Sequence, residues 1–541
     1  MHFISLTILL VALYLPVFGQ QRYLVMFKDK ANSPYSLDNP SQYLSPRAIQ
    51  RRQRQQISIT KKDLPVNPSY LNEVKAKGAK VLFPSKWLNA AIVEASETVI
   101  NNVKTLSFVK SVGIPVGTLN TNDYISVQKE SPSLKPSEDI DYGKAATQNK
   151  LLGVEEMHKQ GYTGKGILIA LMDAGFDKAN QNPLLAGIQI IDSYDFIDRE
   201  SDVYDDDSHG TKVLSTIAAN SKGVMVGTAF EASFCLYRTE DTRSETRFEE
   251  IFWTIAAERA DSLGVDIISN SLAYSTFDNP DISYNPQNLN GDYAIISQAA
   301  DWAASTGILV VTSADNLGND SWRKISFPAD ADSVLTVGAV NFENKKASFS
   351  SVGNTTDKRI KPDVAALGEN AYVALSNGIP SLGSGTSYAA PQIAGFAAGL
   401  WQAFPTLTNM QILKSIQLSG NQITKPDSLL GYGIPHFSRA KEAATQIISA
   451  VEKNTPLQAV KAYPNPLRTP SVYLDFPDAL FGKQVEIKLF DLTGHKIFDK
   501  VFKINSTQML VEFGKSLEYA QQIFLLQLKV DKEVAVLKLK G

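Results

Sequence analysis

The chain has 541 residues, of which 43% are hydrophobic and 20% are charged, and its formal net charge is -3. This length and composition predict two to four globular domains. A slightly acidic chain lacks the concentrated basic surface that nucleic-acid binding needs, so we expect no nucleic-acid partner.

The first segment is an apolar run at residues 3–18, followed by Gly19 as a plausible cleavage position. The run has the length of the hydrophobic region of a signal peptide and is short for a membrane span. No later segment reaches the roughly 18 consecutive apolar residues of a transmembrane helix. We therefore predict a signal peptide at residues 1–19 and no transmembrane segment in the mature chain.

A small α+β unit is predicted over residues 20–114, because apolar alternation and helical periodicity succeed one another there. The predicted strands are residues 22–27, 79–83, 87–95 and 109–114, and the predicted helices are residues 70–77 and 99–106.

Residues 45–54 interrupt this unit with four arginines and no acidic residue. Arg47, Arg51 and Arg54 fall on one helical face. We favour a solvated or locally paired helix face, and a processing or docking site is the alternative.

Linker composition follows at residues 115–141, which are rich in Ser, Pro, Asn and charged residues. Strands and helices then alternate, which predicts a parallel sheet covered by helices over residues 142–450. The single cysteine, Cys235, lies in an apolar strand-like run and predicts a buried structural thiol. The predicted strands are residues 166–172, 234–237, 265–269, 307–312 and 334–340, and the predicted helices include residues 248–262 and 292–305.

Two chemically active side chains stand at the start of this region. Asp173 ends the first apolar strand, at the sheet edge where open α/β folds place their active sites. His209 is followed by Gly210 and Thr211 and is predicted to begin a helix. We expect the small Gly210 to leave room for a substrate beside the imidazole.

A third active side chain lies in the motif Gly-Thr-Ser-Tyr-Ala-Ala-Pro at residues 385–391. Ser387 starts a helix rich in small residues, and Pro391 is tolerable in its first turn. Free backbone N–H groups and the helix dipole favour a developing oxyanion there. A serine, a histidine and an aspartate are the groups that nucleophilic acyl transfer requires.

The final segment has a different character after the composition changes near residues 453–456. Short alternating strands and a turn at residues 492–495 predict a small all-β sandwich over residues 457–541. The predicted strands are residues 484–490, 496–502, 509–513 and 523–530.

Asp173, His209 and Ser387, in this chain order and with these flanks, resemble the catalytic residues of subtilisin-like serine peptidases. The resemblance covers about residues 142–445 and puts Asn316 where the family carries its oxyanion-hole asparagine. It implies a secreted endopeptidase that cleaves protein or peptide substrates through an acyl-enzyme. Ser387 would attack, His209 would move the proton, Asp173 would orient the imidazole, and no cofactor would be required for the chemistry.

The same resemblance suggests the substrate-binding residues. One segment resembles the edge strand that pairs with substrate backbone. That segment consists of Ser271, Leu272, Ala273 and Tyr274. Asp315 stands where the family usually has glycine. Its side chain is either turned away or paired, or favours a basic residue before the scissile bond, or crowds the site.

The crowded case defines the alternative function, a catalytically impaired peptidase-like binding protein at the cell surface. A lipase or esterase is disfavoured, because Ser387 lacks the Gly-x-Ser-x-Gly motif of those enzymes.

An acidic run precedes His209. It consists of Asp202, Asp205, Asp206 and Asp207. A solvated loop is the favoured interpretation, and a structural calcium site or a surface that attracts basic substrate residues is the alternative. The run lacks a complete calcium-loop signature.

The flanking segments also resemble known domains. Residues 20–114 resemble the inhibitory propeptide of subtilases in size, element order and position. We therefore expect the chain's own propeptide as a partner and a cut within residues 115–141, made by the enzyme itself.

Residues 457–541 resemble the C-terminal sorting domain of the type IX secretion system. The resemblance rests on motifs at residues 463–466 and 490–494 and on the lysine-bearing tail at 537–540. It implies the type IX machinery as a partner and a product that is secreted or anchored at the cell surface. An ordinary stabilising or substrate-binding sandwich is the alternative.

Overall fold

The computed structural model describes residues 21–114, 140–453, 456–492, 494–514, 522–531 and 533–540. The predicted signal peptide and nearly all of the predicted linker therefore lie outside the described residues. The chain divides into two compact units, Met1–Ala444 and Thr445–Gly541. None of the helices in the described ranges has the length and hydropathy of a membrane span.

The N-terminal part is a four-stranded antiparallel sheet with three helices. The sequence predicts the four strands and two of the helices, and the third helix is the arginine-rich segment. The strand order is β2-β3-β1-β4. The elements are β1 (Gln21–Phe27), α1 (Pro46–Arg54), α2 (Pro68–Ala76), β2 (Lys80–Ser85), β3 (Ala90–Ala95), α3 (Glu97–Lys104) and β4 (Val109–Val112).

Alternating side chains give this small sheet two buried faces. Val25 and Val93 on one face pack with α2 and α3 in a core of their own. Leu24 and Ile92 on the other face join a larger core that includes Phe252 and other residues of the region at 142–450. The N-terminal part is therefore packed against the rest of its unit over a whole sheet face.

The arginine-rich segment forms α1, and the prediction of a solvated face is wrong for its central residues. Arg51 and Arg52 are each only 2% exposed. Both contact Asp261, about 210 residues further along the chain, and Arg52 also contacts the nearby Asp63 at 2.7 Å, so the pairing is only partly local. The structure thus favours the docking interpretation of this helix.

The region that follows contains a seven-stranded parallel sheet of order β13-β12-β11-β10-β5-β9-β6. Helices α6 and α9 cover one face, and α7 and α8 cover the other. The elements are α4 (Ala146–Leu152), α5 (Val154–Lys159), β5 (Leu168–Asp173), β6 (Gln189–Asp195), α6 (His209–Ala218), β7 (Asn220–Ser221), β8 (Met225–Val226), β9 (Ser233–Arg238), α7 (Arg247–Leu263), β10 (Ile267–Asn270), α8 (Ile295–Ser305), β11 (Leu309–Ser313), β12 (Val334–Val340), β13 (Val364–Leu367), β14 (Ala371–Ala374), β15 (Pro380–Gly383), α9 (Thr386–Ala403), α10 (Asn409–Leu418) and α11 (Phe437–Lys453).

The five predicted strands of this sheet are all present, because each is buried on both faces and reads as a continuous apolar run. The fold class predicted from the sequence is confirmed. Cys235 lies fully buried in β9, as expected.

The second unit contains only antiparallel pairings among its described strands, in sheets of order β16-β17-β20 and β19-β18-β21-β22. Inward-facing side chains of both sheets share one core, as expected for a sandwich. The strands are β16 (Lys461–Tyr463), β17 (Ser471–Asp475), β18 (Gln484–Asp491), β19 (Lys496–Lys503), β20 (Gln508–Glu512), β21 (Ile523–Val530) and β22 (Glu533–Lys540).

Candidate active site

Asp173 is the last residue of the central strand β5 and is fully buried. Its Oδ1 accepts hydrogen bonds from His209 Nδ1 at 2.8 Å and from the Ala174 backbone N–H at 2.8 Å. Oδ2 is buried, and no described residue donates a hydrogen bond to it. The carboxylate is therefore directed at the imidazole.

His209 begins α6, and its backbone N–H donates to Asp207 Oδ1 at 2.6 Å. Since Nδ1 faces Asp173, Nε2 is the ring nitrogen left for a reacting group. Burial alone would lower the pKa of His209, but the charge of Asp173 and the hydrogen bond to it outweigh burial and raise that pKa above its ordinary value. The geometry is that of a base held in one orientation.

Gly210 has a different role from the one expected. A Cβ at this position would lie 2.3 Å from the Gly175 carbonyl oxygen and 2.8 Å from the ring of Phe176. The Gly210 N–H also donates to that carbonyl at 3.0 Å. The glycine therefore lets α6 approach the loop after β5, and the prediction that it leaves room for substrate is wrong.

Ser387 is the second residue of α9 and is 8% exposed. Its hydroxyl lies 3.4 Å from the Ser271 carbonyl oxygen, a long hydrogen bond. The backbone N–H groups of the first helical turn have no intrahelical partner. Ser387 and His209 line the same cleft, whose volume is about 430 Å³.

Asn316 follows strand β11 and lines this cleft. Its Oδ1 accepts from the Thr386 backbone N–H at 2.8 Å and from the Thr386 hydroxyl at 3.1 Å. With Oδ1 held by the residue that precedes Ser387, the Nδ2 donor is the end of the amide that remains available. A donor in this position suits a developing oxyanion.

Asp315 also lines the cleft and has a backbone φ of +79°, in the left-handed region. Its Oδ1 accepts from the Asn316 N–H at 2.6 Å, and its Oδ2 accepts from the Ser326 hydroxyl. Burial raises the pKa of Asp315, and these two hydrogen bonds oppose only part of that shift. Both carboxylate oxygens are thus paired with the protein.

Three residues of the predicted substrate strand, Ser271, Leu272 and Ala273, line the cleft. The fourth, Tyr274, is 1% exposed, and its backbone exchanges hydrogen bonds with Phe327. The structure therefore brings three of the four to the cleft and directs Tyr274 into the interior.

Glu240 lines the cleft and was not predicted from the sequence. It accepts a hydrogen bond from the Tyr274 hydroxyl at 2.8 Å, and burial raises its pKa well above the ordinary value. The sequence could have indicated Glu240, because it lies two residues after β9, at the same sheet edge as Asp173. Lys212, Thr242 and Ser313 line the cleft as well and were also missed.

One member of the acidic run, Asp206, is paired with an arginine, together with Asp195 and Asp198 from outside the run. Carboxylate oxygens of Asp195, Asp198 and Asp206 lie within 4.8 Å of one another. The Arg238 guanidinium contacts all three, at 2.7, 2.7 and 3.1 Å. The cation at this cluster is therefore an arginine. The solvated-loop and calcium interpretations of the rest of the run stay predictions.

Comparison with known proteins identifies relatives of this region. The sequence profile of the subtilase family matches residues 164–433, and the profile of the S8 peptidase propeptide domain of Bacteroidota matches residues 22–132. Subtilisin NAT of Bacillus subtilis subsp. natto is 31% identical over 344 residues, which cover 63% of this chain and 77% of that protein. Subtilisin of Bacillus pumilus is 34% identical over 261 residues, which cover 47% of this chain and 84% of that protein.

Among solved structures, the crystal structure of MycP1 from the ESX-1 type VII secretion system is 23% identical. The matched part covers 57% of this chain and 88% of the MycP1 chain, with a TM-score of 0.45.

Proposed function

The chain belongs to the subtilase family of serine endopeptidases, and on that basis we propose a secreted, zymogen-derived enzyme that cleaves proteins through Asp173, His209 and Ser387. The observation on which this proposal depends is the 2.8 Å contact between His209 Nδ1 and Asp173, made beside the cleft that Ser387 lines. Proteins and peptides are its substrates.

The reaction proceeds through an acyl-enzyme. The Ser387 hydroxyl attacks the scissile carbonyl while His209 Nε2 takes its proton and later gives it to the leaving amine. Asp173 keeps Nδ1 protonated and stabilises the imidazolium that forms. The same base then activates the water that releases the acyl group.

The oxyanion is held by Asn316 Nδ2 and by the Ser387 backbone N–H. The orientation of the Asn316 amide supports this role, because Thr386 occupies its oxygen with two hydrogen bonds. Such donors contribute most where water is excluded, and Ser387 is only 8% exposed.

Asp315 bears on the alternative function, an impaired peptidase-like binding protein. Its carboxylate is held by Ser326 and by the Asn316 N–H, which supports a side chain paired with the wall rather than one that fills the site. We therefore favour an active enzyme.

A fluorophosphonate probe tests this function directly. The full-length chain and its Ser387→Ala variant are expressed, exposed to the probe and followed by size. We expect the parent to be labelled and shortened, and the variant to be unlabelled. A folded parent that has lost its N-terminal part and still takes no label would establish the binding-protein alternative.

Residues 20–114 act as an inhibitory propeptide, and the enzyme makes the cut within residues 115–141 itself. The match to a subtilase propeptide domain supports the inhibitory role. The Ser387→Ala variant should then accumulate uncut, and normal processing of that variant would contradict self-cleavage. Residues 142–450 remain as the peptidase domain. A structural calcium ion stays a prediction with no ligand set assigned.

Export depends on the two ends of the chain, a signal peptide at residues 1–19 and a type IX sorting domain at residues 457–541. A contact between residues 463–466 and the tail at 537–540 supports the sorting-domain assignment, because both segments carry motifs on which that assignment rests. Asn465 donates from Nδ2 to the Lys538 carbonyl and accepts from the Lys540 N–H, each at 2.8 Å. The product is then secreted or anchored at the cell surface by the type IX machinery.

A further inference from the structure

Helix α1 contacts the edge of the seven-stranded sheet that lies opposite the cleft. The Arg47 side chain donates to the carbonyls of Gly166 at 2.9 Å and Gly264 at 3.0 Å, shortly before β5 and β10 begin. Asp173 lies at the other end of β5, which is six residues long. At about 3.3 Å per residue, the two sites are about 20 Å apart.

Two helices of the peptidase domain end at this edge, and α1 and its flanks bind their last carbonyls. The Ser45 hydroxyl donates to the Leu263 carbonyl at 2.9 Å, at the end of α7. Arg51 Nε donates to the Thr306 carbonyl at 3.1 Å, just after α8. Helix C-termini present unpaired carbonyls and partial negative charge, so a basic helix suits this surface.

A buried carboxylate lies at the centre of the contact. Asp261 is fully buried, and its carboxylate accepts from Arg51 at 2.5 Å, from Arg52 at 2.8 Å and from Lys86 at 2.8 Å. Burial alone would raise the pKa of Asp261, but the three cations outweigh burial and hold that pKa well below its usual range. All three cations come from the N-terminal part, so its departure would leave Asp261 without them.

The peptidase surface is shaped for close approach here. A Cβ on Gly264 would lie 2.6 Å from the Ala48 nitrogen, and a Cβ on Gly307 would lie 2.7 Å from Gln55 Nε2. The Gln55 side chain donates to the Gly307 carbonyl at 2.7 Å and accepts from the Asn409 N–H at 2.8 Å. The fit therefore combines backbone contact with directed hydrogen bonds.

We propose that residues 45–57 are a retention anchor, which binds the N-terminal part to the peptidase domain at this remote edge. Cutting the linker then leaves the N-terminal fragment attached, and the anchor sets how fast the fragment leaves. The binding site takes a basic helix whose arginines reach Asp261 and the ends of α7 and α8. This inference rests on the proposed function only in treating residues 20–114 as a propeptide.

The test uses the full-length chain with Ser387→Ala, so that self-cleavage does not intervene. A recognition sequence for a site-specific protease is inserted within residues 115–139, and the release of the N-terminal fragment after the cut is followed by size-exclusion chromatography of diluted protein. We expect the parent fragment to stay bound. Arg52→Met should release it at least about 100-fold faster, because Asp261 and Asp63 lose a shared buried cation.

Arg47→Ala is a milder variant for the case in which Arg52→Met does not fold. The Arg47 side chain is 42% exposed, yet it makes three hydrogen bonds to this edge, so we expect release to be about tenfold faster. The matched control is Lys80→Met, which breaks an exposed ion pair to Glu94 inside the N-terminal part. Its release rate should equal that of the parent.

Equal release rates for the parent, Arg47→Ala and Arg52→Met would overturn the anchor, and so would immediate release of the parent fragment. A failure of the proposed function is distinguishable from this result. Lack of fluorophosphonate labelling in the wild-type chain would contradict the peptidase but would leave the release rates measured in Ser387→Ala unchanged.

Discussion

At the scale of single residues, the charge of Asp173 decides how His209 titrates. His209 must be neutral to accept a proton, and Asp173 raises its pKa above 6.5, so kcat/KM should fall as the pH drops through a value above 6.5. Asp173→Asn removes that charge and leaves burial, which lowers the pKa. The acid limb should then move to lower pH, and kcat should fall on the order of 10⁴-fold, the size of loss that this change causes in a trypsin-like triad.

Asp207→Asn is the matched control for this pH profile. Asp207 accepts a hydrogen bond from the His209 backbone and also raises the pKa of that histidine by its charge. The asparagine amide keeps an oxygen that can accept from the His209 backbone, so activity at neutral pH should be largely kept. The acid limb of Asp207→Asn should shift less than that of Asp173→Asn, because the charge of Asp173 raises the pKa of His209 more. An acid limb that stays at the same pH in the parent and in Asp173→Asn would contradict the assignment of His209 as the titrating base.

Asp315→Gly distinguishes the three interpretations of Asp315, namely a paired side chain, a preference for a basic residue before the scissile bond, and a crowded site. A non-glycine residue in the left-handed region costs about 1–2 kcal/mol, and the lost hydrogen bond from Ser326 contributes about 1 kcal/mol, so the free energy of unfolding should change little. Because both carboxylate oxygens are already paired, the ratio of kcat/KM for arginine and leucine before the scissile bond should stay within about threefold. A tenfold drop would establish the basic preference, and a large gain for both substrates would show that Asp315 impairs the site.

At the scale of elements, the position of α6 depends on Gly210. Gly210→Ala puts a methyl group 2.3 Å from the Gly175 carbonyl oxygen, so the helix must move away from the loop after β5 and carry His209 with it. We expect a loss of about 1–3 kcal/mol in unfolding free energy and a larger fall in kcat than in substrate affinity. Thermal unfolding and steady-state kinetics measure the two effects.

The control on the same helix is Ser208→Ala. Ser208 precedes α6 and makes no side-chain capping bond to the described helix. Loss of its hydroxyl should therefore change neither the free energy of unfolding nor kcat by much. Wild-type activity in Gly210→Ala would show that the helix tolerates the displacement and that the close approach has no bearing on His209.

Strand prediction succeeded for the five central strands of the seven-stranded sheet and failed for its two edge strands, β6 and β13. The central strands read as apolar runs because both of their faces are covered. β6 was missed because it is an edge strand, in which only Asp195 is fully buried. β13 was missed because it has four residues and follows a proline. The short motifs around Asp173, His209 and Ser387 predict an active site because each places a reactive side chain among a few characteristic neighbours. The structure brings Asp173 against His209 and lines one cleft with His209 and Ser387.

At the scale of the whole molecule, contacts between distant segments explain what the sequence did not reveal. The arginines of α1 look solvated, because their partner Asp261 lies about 210 residues away in α7. Gly210 was misinterpreted for the same reason, since the carbonyl that requires it belongs to another loop. Periodicity reports which face of an element is buried, but not against which segment.

The two compact units predict that transport and catalysis can be separated in one chain. The second unit has a core built from its own strands, so a chain ending at Lys453 should keep its peptidase activity. Expressed in a bacterium that has the type IX machinery, the full chain should reach the medium or the cell surface, whereas the truncated chain should stay in the periplasm.

Residues 457–541 fused to a periplasmic reporter should carry that reporter out, and Asn465→Ala in the fusion should reduce export because the tail strand loses two hydrogen bonds. Equal export of the full and truncated chains would instead assign the sandwich a stabilising or substrate-binding role.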